Sequence, residues 1–147
     1  MKAHPTAIIH PNAKLACSVT VGPYSLIGEN VELGEDCEVM SHCVLEGNTR
    51  MGKGNRIFPW ASVGLAPQDL KYHGESTLVE IGDDNTLREF ITIHRATEAG
   101  DAVTRIGSHN LLMAYVPSRT IATWEATLLW PTGLRWPATS TFRITPP

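Results

Sequence analysis

Residues 7–64 read AIIHPNAKLACSVTVGPYSLIGENVELGEDCEVMSHCVLEGNTRMGKGNRIFPWASVG, and the beat within them decides the fold. Every sixth residue from Ile9 gives Ile9, Leu15, Val21, Ile27, Leu33, Val39, Leu45, Met51, Ile57 and Val63, an aliphatic series without a miss. With about one residue in four aliphatic by chance, such a run has odds on the order of one in a million. Two residues before each stand Ala7, Ala13, Val19, Ser25, Val31, Cys37, Cys43, Thr49, Asn55 and Ala61, nearly all small. Glycine directly follows several of the aliphatics, at Gly22, Gly28, Gly34, Gly52 and Gly64, where the missing Cβ permits a turn at positive φ. A period of six matches neither the helix nor the plain alternating strand. It matches a coil of short flat strands in which each hexad forms one side, its aliphatic residue inward and ~4.8 Å from its equivalent in the next coil. No coil buries its own face, so the core exists only through stacking.

Working outward, the beat stops after Val63. The segment GLAPQDLKYHGESTL (64–78) intervenes before it resumes at Ile81, Leu87 and Ile93, and TEAGDAV (97–103) shifts the phase again before Ile106 and Leu112. Excursions from a regular solenoid leave its core intact, so binding chemistry is expected beside these two loops. The regular part is read as one domain over 1–116.

Composition narrows the function. The chain has 147 residues, 12 Lys+Arg against 15 Asp+Glu, a formal charge of -3 and 42% hydrophobic residues, which fits one folded domain and neither a nucleic-acid binder nor an anionic-membrane binder. The longest apolar run, Leu111 to Val116, is far short of the ~20 residues that span a bilayer. The start MKAHPTAIIHP lacks the apolar core of a signal peptide, so no membrane insertion and a cytoplasmic location are expected. Cys17, Cys37 and Cys43 are not spaced as a zinc knuckle and read as reduced, buried thiols; no metal and no cofactor are expected.

The hexads, the loop QDLKYHGE (68–75), the following VEIGDDNTLREFITIHR (79–95) and SHNLLMAYV (108–116) together resemble the acyl-carrier-protein:UDP-N-acetylglucosamine O-acyltransferases of lipid A biosynthesis, a hexapeptide-repeat family. The resemblance runs through residues 1–116. It implies an all-β, single-stranded left-handed parallel β-helix; the handedness comes from the family, since parallel crossovers are otherwise nearly always right-handed. It also implies a cytoplasmic homotrimer with sites between subunits, whose partners are acyl carrier protein and UDP-N-acetylglucosamine. An (R)-3-hydroxyacyl group passes from the carrier thioester to the sugar 3-hydroxyl, with a histidine as general base and backbone N–H groups at the oxyanion. Carried onto this chain, Gln68, Asp69 and Lys71 occupy the substrate loop, Asp69 as a sugar contact and Lys71 as a phosphate or carrier contact. His94 matches the family's histidine at the cleft. Without the resemblance, a lone histidine after a β run reads as structural.

The family continues after SHNLLMAYV with H-x-A-H-D, whose second histidine is the catalytic base. This chain instead reads Pro117, Ser118, Arg119, Thr120, placing Pro117 at the first histidine and Thr120 at the base. A threonine hydroxyl does not take a proton near neutral pH, and loss of a general base costs about 10²- to 10⁴-fold in rate. No catalytic residue is therefore assigned, and an inactive chain is expected.

From Pro117 to Pro147 there is no His, Lys, Asp, Asn or Val, while five of the ten prolines and three of the four tryptophans fall there. One reading is a divergent tail, folded over the solenoid's end or without order. The other is a shifted reading frame. Codons allowed for 117–127, read from their third nucleotide, give I-A-H-D-C-H-V-G-S-H, the missing motif and the start of another hexad. Trp124, Trp130 and Trp136 recur at spacing six, and each TGG codon in that frame becomes an aliphatic-then-small pair. The tail is accordingly read as frame-shifted and irregular, leaving the β-helix incomplete with an edge near Val116.

Two other enzyme classes share the hexads. A γ-class carbonic anhydrase needs zinc-binding histidines that include a pair five residues apart, and His4, His10, His42, His73, His94 and His109 contain none. Acetyl-CoA-dependent acetyltransferases have no need of the QDLKY loop. A non-enzymatic remnant that associates with intact subunits remains the third possibility.

Overall fold

The computed structural model describes residues 1–70, 72–97, 102–114 and 117–118. The first coil carries β1 (Lys2–Ala3), β2 (Ile8–Ile9) and β3 (Lys14–Leu15), and the second β4 (Thr20–Val21), β5 (Leu26–Ile27) and β6 (Val31–Leu33). The third has β7 (Glu38–Val39), β8 (Val44–Leu45) and β9 (Asn48–Met51), and the fourth β10 (Arg56–Ile57), β11 (Ser62–Leu65) and β12 (Leu78–Ile81). The fifth has β13 (Thr86–Leu87), β14 (Thr92–His94) and β15 (Val103–Ile106), followed by β16 (Leu111–Leu112) and β17 (Pro117–Ser118). Every third strand pairs in parallel, giving three faces ordered β1-β4-β7-β10-β13-β16, β2-β5-β8-β11-β14-β17 and β3-β6-β9-β12-β15. This is the left-handed parallel β-helix, without a helix among the described residues. None of its elements is a helix long and apolar enough to cross a membrane.

The register shows how the hexads build it. Lys2 pairs with Thr20, Thr20 with Glu38 and Glu38 with Arg56, three hexads per step. Arg56 then pairs with Thr86 and Thr86 with Leu111, so both longer intervals are absorbed outside the stack. From Val21 to Val63 every sixth residue is at most 5% exposed, and Ile81, Leu87, Ile93, Ile106 and Leu112 continue the column past both breaks. Ile9 and Leu15 are only half-buried, because the first coil has a neighbour on one side alone. Each fully buried aliphatic contributes about 1.5–3 kcal/mol of transfer free energy, so the core is a sum over rungs. The strand ladder reaches two residues past Val116, Thr92 and Ile93 pairing with Pro117 and Ser118. The rest of the tail lies outside the described residues.

Two expectations need correction. Of the glycines that follow the aliphatics, only Gly64 has positive φ. The left-handed corners are taken by Tyr24, His42, Trp60 and Phe90 on one edge and by Asp36, Gly54, Asp84 and His109 on another. Gly22 and Gly34 are required for a different reason: a Cβ there would stand 2.7 Å from the carbonyl carbon of Met40 or Gly52 in the next coil. The backbones approach too closely for a side chain. At the corner, a bulky residue at positive φ is uncommon, and here the rings repay it by stacking. His42 lies 4.4 Å from Trp60, with Tyr24 and Phe90 continuing the pile at 5.2 and 6.4 Å.

The second correction concerns Cys17, which is exposed, whereas Cys37 and Cys43 are buried. Cys37 and Cys43 occupy the inward small phase of the hexad, while Cys17 falls in a turn of the outermost coil. Burial raises the Cys37 thiol and pushes that of Cys43 up to about 11, so neither supplies thiolate near neutral pH. An aromatic disulfide reagent at neutral pH should therefore titrate one thiol in the native protein and all three after denaturation. Rapid reaction of two or more native thiols would contradict this packing.

Polar groups also enter the interior in a column. Asn85 donates its backbone N–H and its Nδ2 to Asn55 Oδ1, both at 3.0 Å. Asn110 repeats this on Asn85 Oδ1 at 2.9 and 3.0 Å. All three are buried, and the side-chain oxygens of Asn55 and Asn85 answer donors that would otherwise be orphaned at the turn.

Candidate functional site

The first interruption begins at a bulge. Strand β11 pairs Val63 with Ile93 but Leu65 with His94, leaving Gly64, at φ +83°, as the extra residue. A bulge bends its strand and re-aims the residues beyond it. The chain leaves the face after Leu65 and returns at Leu78, paired with Asn48.

Both limbs of this excursion are tied to the body. His94 Nδ1 lies 3.0 Å from the Ala66 carbonyl oxygen, and the Arg95 backbone N–H donates to Leu65 O at 3.0 Å. On the returning limb Asn48 Nδ2 donates to Ser76 Oγ at 3.1 Å and to Thr77 O at 3.3 Å. Within the loop the Tyr72 N–H donates to Asp69 O at 3.0 Å and its hydroxyl to Glu75 O at 3.1 Å. The backbone N–H groups of Glu75 itself and of His73 hold the exposed Glu75 carboxyl below its ordinary range. Arg95 lays its guanidinium carbon 5.7 Å from the Tyr72 ring centre, and its buried Nε has no hydrogen-bond partner among the described residues.

The partner of His94 fixes what its ring can do. A carbonyl oxygen only accepts, so the neutral imidazole carries its proton on Nδ1 and keeps the lone pair on Nε2. The half-buried ring thus offers an acceptor to a hydroxyl or N–H beside the loop. Thr104 Oγ1 donates to the His94 carbonyl at 2.9 Å, which fastens the strand to the next face. Gln68 and Asp69 are exposed, two and three residues beyond the anchored Ala66. Lys71 lies outside the described residues, as do residues 98–101 of the second interruption. The structure thus joins His94 to the root of the predicted substrate loop. Among the described residues no group of three or more His, Cys, Asp or Glu could hold a metal.

A groove of about 560 Å³ lies beside the returning limb, lined by Lys14, Glu29, Glu32, Asn48, Arg50 and Ser76 among others. It contains none of Gln68, Asp69 or His94, and its two cations are both answered by Glu32, Lys14 Nζ and Arg50 Nε standing 2.7 and 3.4 Å from it, while Asn12 Nδ2 donates to Glu29 at 2.9 Å. A self-neutralised wall offers little to a charged ligand, so the site is placed at the loop.

Gly47 and Arg95 are parts of this region that the hexad pattern does not single out. Gly47, at φ +60°, lies off the glycine phase; a Cβ there would meet Gly64 O at 2.5 Å and the Arg95 Nε and Cδ at 2.8 and 2.9 Å. Its bareness makes room first for the Gly64 carbonyl and then for the Arg95 stem. The only sequence signal for Arg95 is its place at the end of the TIHR string.

No family model matches the chain. It is 50% identical over 113 residues to the acyl-[acyl-carrier-protein]–UDP-N-acetylglucosamine O-acyltransferase of Thermodesulfovibrio yellowstonii and 54% identical to that of Saccharophagus degradans, covering 77% of this chain and 44% of each relative. Among solved structures, LpxA from Acinetobacter baumannii superposes with a TM-score of 0.75 at 51% identity over 76% of this chain and 43% of its own. LpxA from Moraxella catarrhalis does so at 0.76 and 48% over 78% and 44%. The chain spans somewhat under half the length of these relatives. Shared loop, shared β-helix and this level of identity place the chain, through its β-helical part, in the UDP-N-acetylglucosamine O-acyltransferase family.

Proposed function

We propose that the β-helix of this chain binds UDP-N-acetylglucosamine and an acyl carrier protein, as the relatives' name describes, with an (R)-3-hydroxyacyl group as the resemblance implies, and that the chain itself does not transfer that group. The observation that carries the binding half is the 3.0 Å approach of His94 Nδ1 to the Ala66 carbonyl, from which the tautomer with Nε2 free to accept at the root of the Gln68–Asp69 loop is inferred. Gln68 and Asp69 then contact the sugar nucleotide, with Lys71 at its phosphates or at the carrier. The absence of transfer follows from Thr120, which stands where the base belongs. Deprotonating the sugar hydroxyl needs an acceptor with a pKa near the working pH, which threonine lacks. Assembly as a homotrimer in the cytoplasm belongs to the same reading.

Calorimetric titration with UDP-N-acetylglucosamine tests binding, and an acyl-transfer assay with hydroxyacyl carrier protein tests chemistry. His94→Ala should weaken the nucleotide by about tenfold, the worth of one hydrogen bond to a polar ligand. Transfer should be absent from the chain as it stands and appear when residues 117–147 are replaced by their shifted-frame reading. Nucleotide affinity unchanged in His94→Ala, or transfer by the unaltered chain, would each refute the corresponding half.

A further inference from the structure

We infer that Arg95 and Tyr72 act as a clamp that positions the 66–77 loop over its site; the substrate side of this inference rests on the function proposed above. Three observations converge. Arg95 follows His94 directly, so the residue offering Nε2 and the residue reaching over the loop share one strand end. Its buried Nε has no hydrogen-bond partner among the described residues, which is costly for that N–H unless something else compensates. The compensation present is the face of the Tyr72 ring, with the guanidinium carbon 5.7 Å from its centre.

Tyr72 is also the residue on which the loop closes. Its N–H holds Asp69 O and its hydroxyl holds Glu75 O, so the arc from Asp69 to Glu75 is drawn around this one side chain. Fixing the ring fixes Asp69, one of the proposed sugar contacts. The route of the Arg95 stem is equally constrained, because it crosses bare backbone at Gly47. Glycine is needed there both for the close Gly64 carbonyl, 2.5 Å from the place of a Cβ, and for the arginine passing over it. Arg95 and Tyr72 are positioning residues: ordering the loop before ligand arrives removes an entropic cost from binding.

The test uses the full chain and four variants, Arg95→Ala, Arg95→Lys, Tyr72→Leu and Tyr72→Phe. Trypsin cleavage of the Lys71–Tyr72 bond reports loop opening without any ligand, and calorimetry with UDP-N-acetylglucosamine reports positioning. Cleavage should accelerate about tenfold in Arg95→Ala and Tyr72→Leu, the worth of a cation–π contact and its loop closure. Nucleotide affinity should fall by a similar factor in the same two. Tyr72→Phe keeps the ring face but loses the hydroxyl bond to Glu75 O, so it should open less than Tyr72→Leu and more than wild type in both assays, and Arg95→Lys should lie between wild type and Arg95→Ala. Melting temperature should not follow this order, since the loop is outside the stacked core.

Unchanged cleavage in Tyr72→Leu overturns the clamp. So does a Tyr72→Phe variant that opens as readily as Tyr72→Leu. Faster cleavage with unaltered affinity overturns positioning. Should Arg95→Ala fail to fold, the Tyr72 pair, confined to the loop, decides. If the wild-type chain binds no nucleotide, the functional reading fails and takes positioning with it, while proteolysis still decides the clamp.

Discussion

Gly64→Ala is expected to destabilise the β-helix by more than about 4 kcal/mol. The bulge residue sits at φ +83°, and a Cβ there would overlap both Glu46 O and Thr49 Oγ1. These two atoms are hydrogen-bonded to each other at 2.7 Å, so the methyl group would be driven into a bond that closes the preceding coil. Neither neighbour can yield cheaply: one is main chain and the other belongs to a buried threonine. Overpacking of an ordinary core costs about 1–3 kcal/mol, and displacing backbone costs more. Such a loss takes from about a quarter to most of the 5–15 kcal/mol that holds a typical domain. Gly74→Ala is the control. Gly74 has φ +97° with nothing within 4 Å of the place an added Cβ would take, so only the conformational cost of about 1 kcal/mol applies. Far-ultraviolet circular dichroism and urea unfolding compare the two. If both variants unfold at the same midpoint, the close approach at Gly64 is not what the position requires.

Asn85→Ala should cost about 3–4 kcal/mol, more than the removal of most exposed side chains. The truncation leaves the Asn110 backbone N–H and Nδ2 without their shared acceptor and removes one of two donors from Asn55 Oδ1. All of these groups are buried, where an unanswered donor costs about 1–3 kcal/mol. Asn85→Asp should be no remedy, since its second oxygen would face Asn55 Oδ1 at the present donor distance of 3.0 Å. Denaturant midpoints provide the measure, and a loss under about 1 kcal/mol in Asn85→Ala would mean water replaces the amide.

The core was legible because stacking imposes one rule on every rung. Leu45 and Ile93 belong to the same inward set whether or not a loop intervenes, and the interruptions showed themselves by breaking the count. Handedness was not in the period and came through the family likeness. Glycine misled for a physical reason: bareness serves both φ freedom and close approach, and Gly22 and Gly34 use the second. At the site, His94 and the loop stood out as a string of residues, whereas the tautomer depends on Ala66, 28 residues away in sequence. Gly47 escaped because its purpose is to make room for a residue of another coil, which no local pattern encodes.

The asparagine column has a direction. Asn85 points its donors back to Asn55, and Asn110 points its own back to Asn85, so each completed turn holds out an oxygen to the one after it. A nascent chain leaves the ribosome amino end first, at about 5–20 residues per second. Every amide that arrives therefore finds its acceptor already in place, and the wall can be laid in the order in which it is made.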